Sequence, residues 1–105
     1  MTRLVVTADA ETDTSDILDY LEREASPRIA EDFGRRFRLA IERFVDLPET
    51  GPARPVLGSN VRIAIVYPYI LIYEYVPGGD TVTLLRVLHG RRNLTNELLN
   101  PTRNR

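Results

Sequence analysis

The sequence predicts an α+β fold of order β-α-α-β-β-β, with a two-helix hairpin packed on one face of a small, antiparallel-rich sheet. Three observations carry that prediction. Between positions 10 and 44 apolar residues recur at three- and four-residue steps, the period of an amphipathic helix. Ser26-Pro27 interrupts the pattern with a capping serine and a proline suited to a first helical position, so one helix ends and another begins there. After position 60 the chain turns to β-branched and aromatic runs broken by turn residues.

Each element has a local reason. Residues 3–6 read as a short first strand. Thr7 then caps a helix starting near Ala8, with Asp9 and Glu11 in the first turn, where the helix dipole favours acids. Ala10, Thr14, Ile17, Leu18 and Leu21 share one face, which carries this helix to about Glu24; Asp13-Thr14-Ser15 is its weakest stretch. On the second helix Ile29, Ala30, Phe33, Phe37, Ala40, Ile41 and Phe44 make a continuous apolar stripe. Its opposite face carries Glu31, Asp32, Arg35, Arg36, Arg38 and Arg43, with Glu31 and Arg35, and Asp32 and Arg36, at i,i+4 spacing. Leu47-Pro48 ends it.

Positions 48–60 hold three prolines and two glycines without periodicity, so this segment is expected to wrap the surface. Strands follow at 61–66, 69–76 and 81–88. Tyr67-Pro68 forms the first turn and Pro77-Gly78-Gly79-Asp80 the second. A short helix is expected over 93–99 and a flexible tail over 100–105. The 105 residues make one domain, 1–105, with its core over 4–94. Packing the Phe33, Phe37 and Phe44 stripe on the sheet gives a core worth roughly 1.5–3 kcal/mol per fully buried large side chain.

Composition narrows the function classes. At 43% hydrophobic and 28% charged residues the chain is globular rather than disordered. With no cysteine there are no disulfides or thiolate metal sites, and a single histidine offers little to a metal, so no metal and no cofactor are expected. Every basic residue is arginine. Lysine is therefore unavailable as a general acid or base, while arginine suits bidentate anion contacts. A net charge of −1 argues against broad nucleic-acid coating. The N-terminal apolar run is too short for a signal peptide, and no stretch approaches a membrane span, so a cytoplasmic location is expected.

The residues with chemical potential gather in the last strand. Simple alternation puts Val82, Leu84, Arg86 and Leu88 on one face and Thr83, Leu85, Val87 and His89 on the other. An arginine there either pairs with a carboxylate, such as Glu74 on the neighbouring strand, or contacts an anion or target. Arg62 is the other strand arginine. His89 precedes Gly90, and is either a packed strand end or a functional group. Arg91 and Arg92 either start a solvated helix or, with Arg86, concentrate positive potential at one corner. Tyr69, Leu71, Tyr73 and Tyr75 share a sheet face that is either half-buried packing or a partner surface. No phosphate-binding loop or nucleophile elbow is present.

Several segments, in order, resemble the RelE/ParE toxin superfamily. They are Asp16-Ile17-Leu18-Asp19-Tyr20-Leu21 and Ala40-Ile41-Glu42-Arg43-Phe44-Val45-Asp46-Leu47-Pro48, then Gly51, Arg54-Pro55 and Val61-Arg62. The strand Tyr69-Ile70-Leu71-Ile72-Tyr73-Glu74-Tyr75 and the ending Arg86-Val87-Leu88-His89-Gly90-Arg91 complete the series. The resemblance spans residues 4–94 and is closest in character to ParE-type members of ParD/ParE toxin–antitoxin systems.

The resemblance implies one of two activities on one fold. RelE-type toxins are ribosome-dependent mRNA endonucleases; ParE-type toxins inhibit DNA gyrase without being enzymes. Arg62 and Arg86 stand where the nuclease arginines do, but lysine is absent and no aromatic residue follows Tyr75. RNA cleavage needs a general acid and base at the scissile phosphate; His89 and Glu74 are poor prospects for that pair. The expectation is therefore a gyrase inhibitor without catalytic residues, with mRNA cleavage as the alternative and a non-toxic interaction module as a third. Target-contact candidates are Arg62, Arg86, His89, Arg91 and Arg92. The implied partner is a ParD-type ribbon–helix–helix antitoxin with a disordered segment that folds on the toxin. Its candidate contacts are Tyr69, Leu71, Tyr73 and Tyr75, or else the outer helix surfaces. DNA would be reached only through that antitoxin.

Overall fold

A computed structural model describes residues 2–91. The elements are β1 (Arg3–Val6), α1 (Ala8–Glu24), α2 (Pro27–Asp46), β2 (Val61–Val66), β3 (Tyr69–Tyr75) and β4 (Thr81–His89). The predicted order holds, with strand ends shifted by one residue. The expected 93–99 helix, the 100–105 tail and Arg92 lie outside the described residues.

The helix starts form as their caps dictate. The Thr7 side chain accepts from the Ala10 N–H at 3.0 Å, and its hydroxyl donates to the Leu85 carbonyl at 2.8 Å. The Thr7 N–H also donates to the Leu84 carbonyl at 3.1 Å, so one threonine joins β1, α1 and β4. Ser26 accepts from the Ile29 N–H at 3.1 Å, with Pro27 at the first helical position.

The sheet order is β1-β4-β3-β2. β2, β3 and β4 form an antiparallel meander, and β1 pairs parallel to β4. The register shifts between Ile72, opposite Arg86, and Tyr73, opposite Leu84, which leaves Leu85 as an extra residue. This bulge changes the phase of β4. Val82 and Leu84 belong to the larger core cluster, and so does Val87, whereas Leu88 packs with Ile72 in a second cluster. Uniform alternation along β4 is thereby corrected, because it holds only up to the bulge.

The larger cluster lies between sheet and helices and contains Ala10, Phe37, Phe44, Tyr69, Leu71 and Tyr73. Phe37 and Phe44 are buried as expected, while Phe33 is partly buried and meets Tyr69 edge-on at 5.6 Å. On the other sheet face, Leu57 from the 48–60 loop packs with Val61, Ile63, Ile72 and Leu88. The loop is thus a small second layer, and it extends the sheet through an Ala53–Arg62 bridge. No helix among the described residues is long and apolar enough to cross a membrane.

Candidate functional site

β1 pairs with β4 only from Thr81 to Leu84, yet β4 continues to His89. Beyond Leu84 the β4 edge would expose backbone donors and acceptors. Asp13 of α1 fills that place. Its Oδ2 accepts from Arg86 Nε at 2.6 Å and from the Val87 N–H at 3.0 Å, and its Oδ1 accepts from Arg86 Nη2 at 2.9 Å. Both side chains are about 15% exposed, so this is a largely buried, bidentate, charge-assisted pair. The Asp13 hydrogen bonds hold the Arg86 pKa above its ordinary value, outweighing the opposite effect of burial.

The expected alternative partner of Arg86, Glu74, is exposed and stands opposite Thr83. The bulge places Arg86 opposite Ile72 instead, and α1 supplies the carboxylate. A signal for Asp13 was present in the sequence. It falls three residues after Ala10 and four before Ile17, so this acid lies within the apolar stripe of α1.

Arg62 is committed elsewhere. Its Nη1 donates to the Glu49 carbonyl at 2.9 Å and the Gly51 carbonyl at 2.8 Å, clamping the start of the 48–60 loop. β3 lies between it and Arg86, a separation of roughly 10 Å across two strand spacings. The two arginines that resemble nuclease residues therefore engage different elements and do not converge.

His89 packs edge-on against Tyr69, centroids 5.7 Å apart, and its Nδ1 accepts from the Arg91 N–H at 3.1 Å. Among the described residues no carboxylate pairs with His89. The Gly90 N–H donates to the Pro68 carbonyl at 2.7 Å, fixing the strand end to the β2–β3 turn. There a shallow, mostly apolar cavity of about 250 Å³ is lined by Ile65, Tyr67, Ile70, His89 and Arg91, among others. Arg91 is exposed.

Of the two readings of the Tyr69, Leu71, Tyr73 and Tyr75 face, packing against the core is the one found, and a partner surface there is corrected. Tyr69, Leu71 and Tyr73 are buried beneath the helices, and Tyr75 is half-buried beside them. Side chains alternate along β3 as its sequence predicts, and the face that carries the tyrosines is the one the Phe37 and Phe44 stripe covers. Tyr73 stacks on Phe44 with centroids 4.1 Å apart. Its hydroxyl donates to the Pro48 carbonyl at 2.9 Å and accepts from the Gly51 N–H at 3.1 Å. Burial raises the phenol pKa of both Tyr69 and Tyr73. The Tyr73 polar tip thus serves the loop rather than a partner.

Chemically, the strand end offers cationic and aromatic contacts, and among the described residues no acid–base pair is assembled there. No group of three or more metal-ligating side chains occurs among the described residues.

Comparison with known proteins finds a match of residues 4–94 to the family described as ParE toxin of type II toxin-antitoxin system, parDE. Among solved structures, a chain of the chromosomal ParDE toxin–antitoxin system from P. aeruginosa is similar, at 20% identity and a TM-score of 0.71. The match covers 85% of this chain and 96% of that one. A chain of the toxin-antitoxin complex RelBE2 from Mycobacterium tuberculosis is also similar, at 24% identity and a TM-score of 0.58, covering 84% and 96%. Both likenesses concern the fold. Comparison with curated proteins returns no match.

Proposed function

Because the chain belongs to the ParE toxin family of type II toxin–antitoxin systems, we propose that it arrests growth by inhibiting DNA gyrase, without being an enzyme, and that a ParD-type antitoxin neutralises it by direct binding. The observation that carries the choice of target is the state of the β4 end. Cleaving RNA needs an acid and a base in reach of one phosphate. Here Arg86 is held by Asp13, Arg62 by the loop, and His89 lies against Tyr69 with no carboxylate partner among the described residues. Since RelE-type and ParE-type toxins share a fold, the distinction rests on this chemistry rather than on architecture.

On this reading the target meets the corner formed by His89, Arg91 and the β2–β3 turn, with Arg92 adjoining in sequence. The antitoxin takes surface that the fold leaves open. The buried Tyr69, Leu71 and Tyr73 do not supply it, whereas the helix hairpin exposes Tyr20, Ile29 and Leu39. A disordered segment folding there would cover apolar area at the cost of its own ordering. Direct DNA binding is disfavoured by α1, which carries Asp9, Glu11, Asp16, Asp19, Glu22 and Glu24 against Arg23 alone. A gyrase target implies action in the cytoplasm.

Two incorporation rates test this in growing cells. On induction, labelled thymidine incorporation should fall first while labelled leucine incorporation continues. His89→Ala removes one contact of several and should keep that order with only a partial loss of arrest, whereas an acid or base of a nuclease would lose on the order of 10²–10⁴-fold in rate. Leucine incorporation falling first, with His89→Ala inert, would instead identify an mRNA endonuclease.

A further inference from the structure

The Asp13–Arg86 pair joins α1 to the sheet where no strand does so. Residues 85–89 of β4 lie past the pairing with β1; β3 pairs along one side of them, and the Thr7 hydroxyl donates to the Leu85 carbonyl on the other. Beyond that point the strand end is tied by the Val87 N–H on Asp13 and the Gly90 N–H on the Pro68 carbonyl. The first spans 74 residues of sequence and links the strand to the helix hairpin. The second links the strand end to the neighbouring turn. Between these two points sits His89, and immediately beyond them Arg91.

The chemistry of the first contact is directional. Both Asp13 oxygens are used, and the bidentate fork fixes the guanidinium plane together with one backbone amide. A buried ion pair adds little net stability over apolar residues of similar volume, because desolvation offsets the attraction. What three aligned hydrogen bonds supply, and apolar packing does not, is one defined placement of the strand relative to the helix.

We propose that Asp13 is a positioning residue: through Arg86 and the Val87 amide it sets where the His89–Arg91 end of β4 stands relative to the helix hairpin. Arg86 is its counterpart in this tie, not a cation offered to the target. The functional part of the proposal rests on the reading that this strand end is the toxin's target-contacting surface.

Two variants of the full chain test it. In Asp13→Ala the Arg86 fork and the Val87 amide both lose their carboxylate. In Asp13→Leu/Arg86→Met both members of the pair are replaced by apolar side chains, so neither of the two is left behind without the other. The double variant should melt within about 5 °C of wild type, yet need on the order of 10-fold more protein for the same gyrase inhibition, a loss of roughly 1.4 kcal/mol of target binding. Asp13→Ala, assayed well below its melting temperature, should lose activity similarly. Were Arg86 itself the target contact, removing its Asp13 partner in Asp13→Ala would preserve or raise activity, and that result overturns the proposal. So does full activity in a stable double variant.

A readout independent of toxicity accompanies these assays. Amide exchange at Val87 should quicken, and the His89 ring and Arg91 amide NMR signals should move, in both variants. Unmoved signals refute the tie whatever the activity. Moved signals with a wild-type protein inert on gyrase uphold the tie and reject the proposed target instead.

Discussion

Phe44→Ala is expected to cost about 3–5 kcal/mol, the usual range for deleting a buried phenylalanine. For a domain of this size each kcal/mol lowers the melting temperature by roughly 4–8 °C, so calorimetry should show a drop of at least about 12 °C. The effect is large because Phe44 is only 2% exposed and lies nearly parallel to Tyr73, with a 7° angle between rings. Its removal opens a void against the ring whose hydroxyl holds Pro48 and Gly51. A drop below about 4 °C would mean that the α2–sheet interface does not carry the core.

Gly51→Ala should destabilise by about 3–5 kcal/mol, although the Gly51 backbone lies outside the left-handed region. A Cβ there would stand 2.4 Å from the Ile63 carbonyl oxygen and 2.4 Å from the Tyr73 hydroxyl. One obstacle is backbone and the other belongs to a buried, stacked ring, so the loop must withdraw. Overpacking costs about 1–3 kcal/mol, and each lost hydrogen bond adds about 1 kcal/mol. The bonds at stake are Gly51 N–H to Tyr73 and Arg62 to the Gly51 carbonyl. Gly78→Ala is the control. Gly78 has φ of +83° but open space around it, so only the conformational penalty of about 1–2 kcal/mol applies. Urea unfolding of the two variants should rank Gly51→Ala well below Gly78→Ala; the reverse order would show that the loop is not seated on Tyr73.

These two residues also mark where sequence reading succeeds and where it stops. Phe44 was legible because helical period and stripe are local properties: caps at Thr7 and Ser26, the stop at Leu47-Pro48 and the strand turns each depend on a few neighbours. The bulge at Leu85 was not legible, since no glycine or proline marks it and the mismatch exists only once β3 and β4 pair. Without the bulge Arg86 appeared to share a face with Leu84, and Glu74 looked like its natural partner. Asp13 is 73 residues away and enters only when α1 packs across the bare strand edge. The tyrosine row shows the same limit from the other side. Period two placed Tyr69, Leu71, Tyr73 and Tyr75 together, but which layer covers them depends on how the helix hairpin docks. In the candidate site, His89 and Arg91 were found where expected at the strand end, whereas Arg62 turned out to brace the loop.

On the proposed function, this fold acts on gyrase through binding and not on RNA through catalysis. The direct measurement is purified protein added to gyrase with relaxed plasmid and ATP, scored for supercoiling and for cleaved DNA released by detergent and protease. Dose-dependent loss of supercoiling, with the effect reversed by stoichiometric antitoxin, is the predicted result. Unaffected gyrase at large molar excess of a preparation that still arrests growth in cells, together with codon-positioned mRNA cleavage on translating ribosomes, would contradict it.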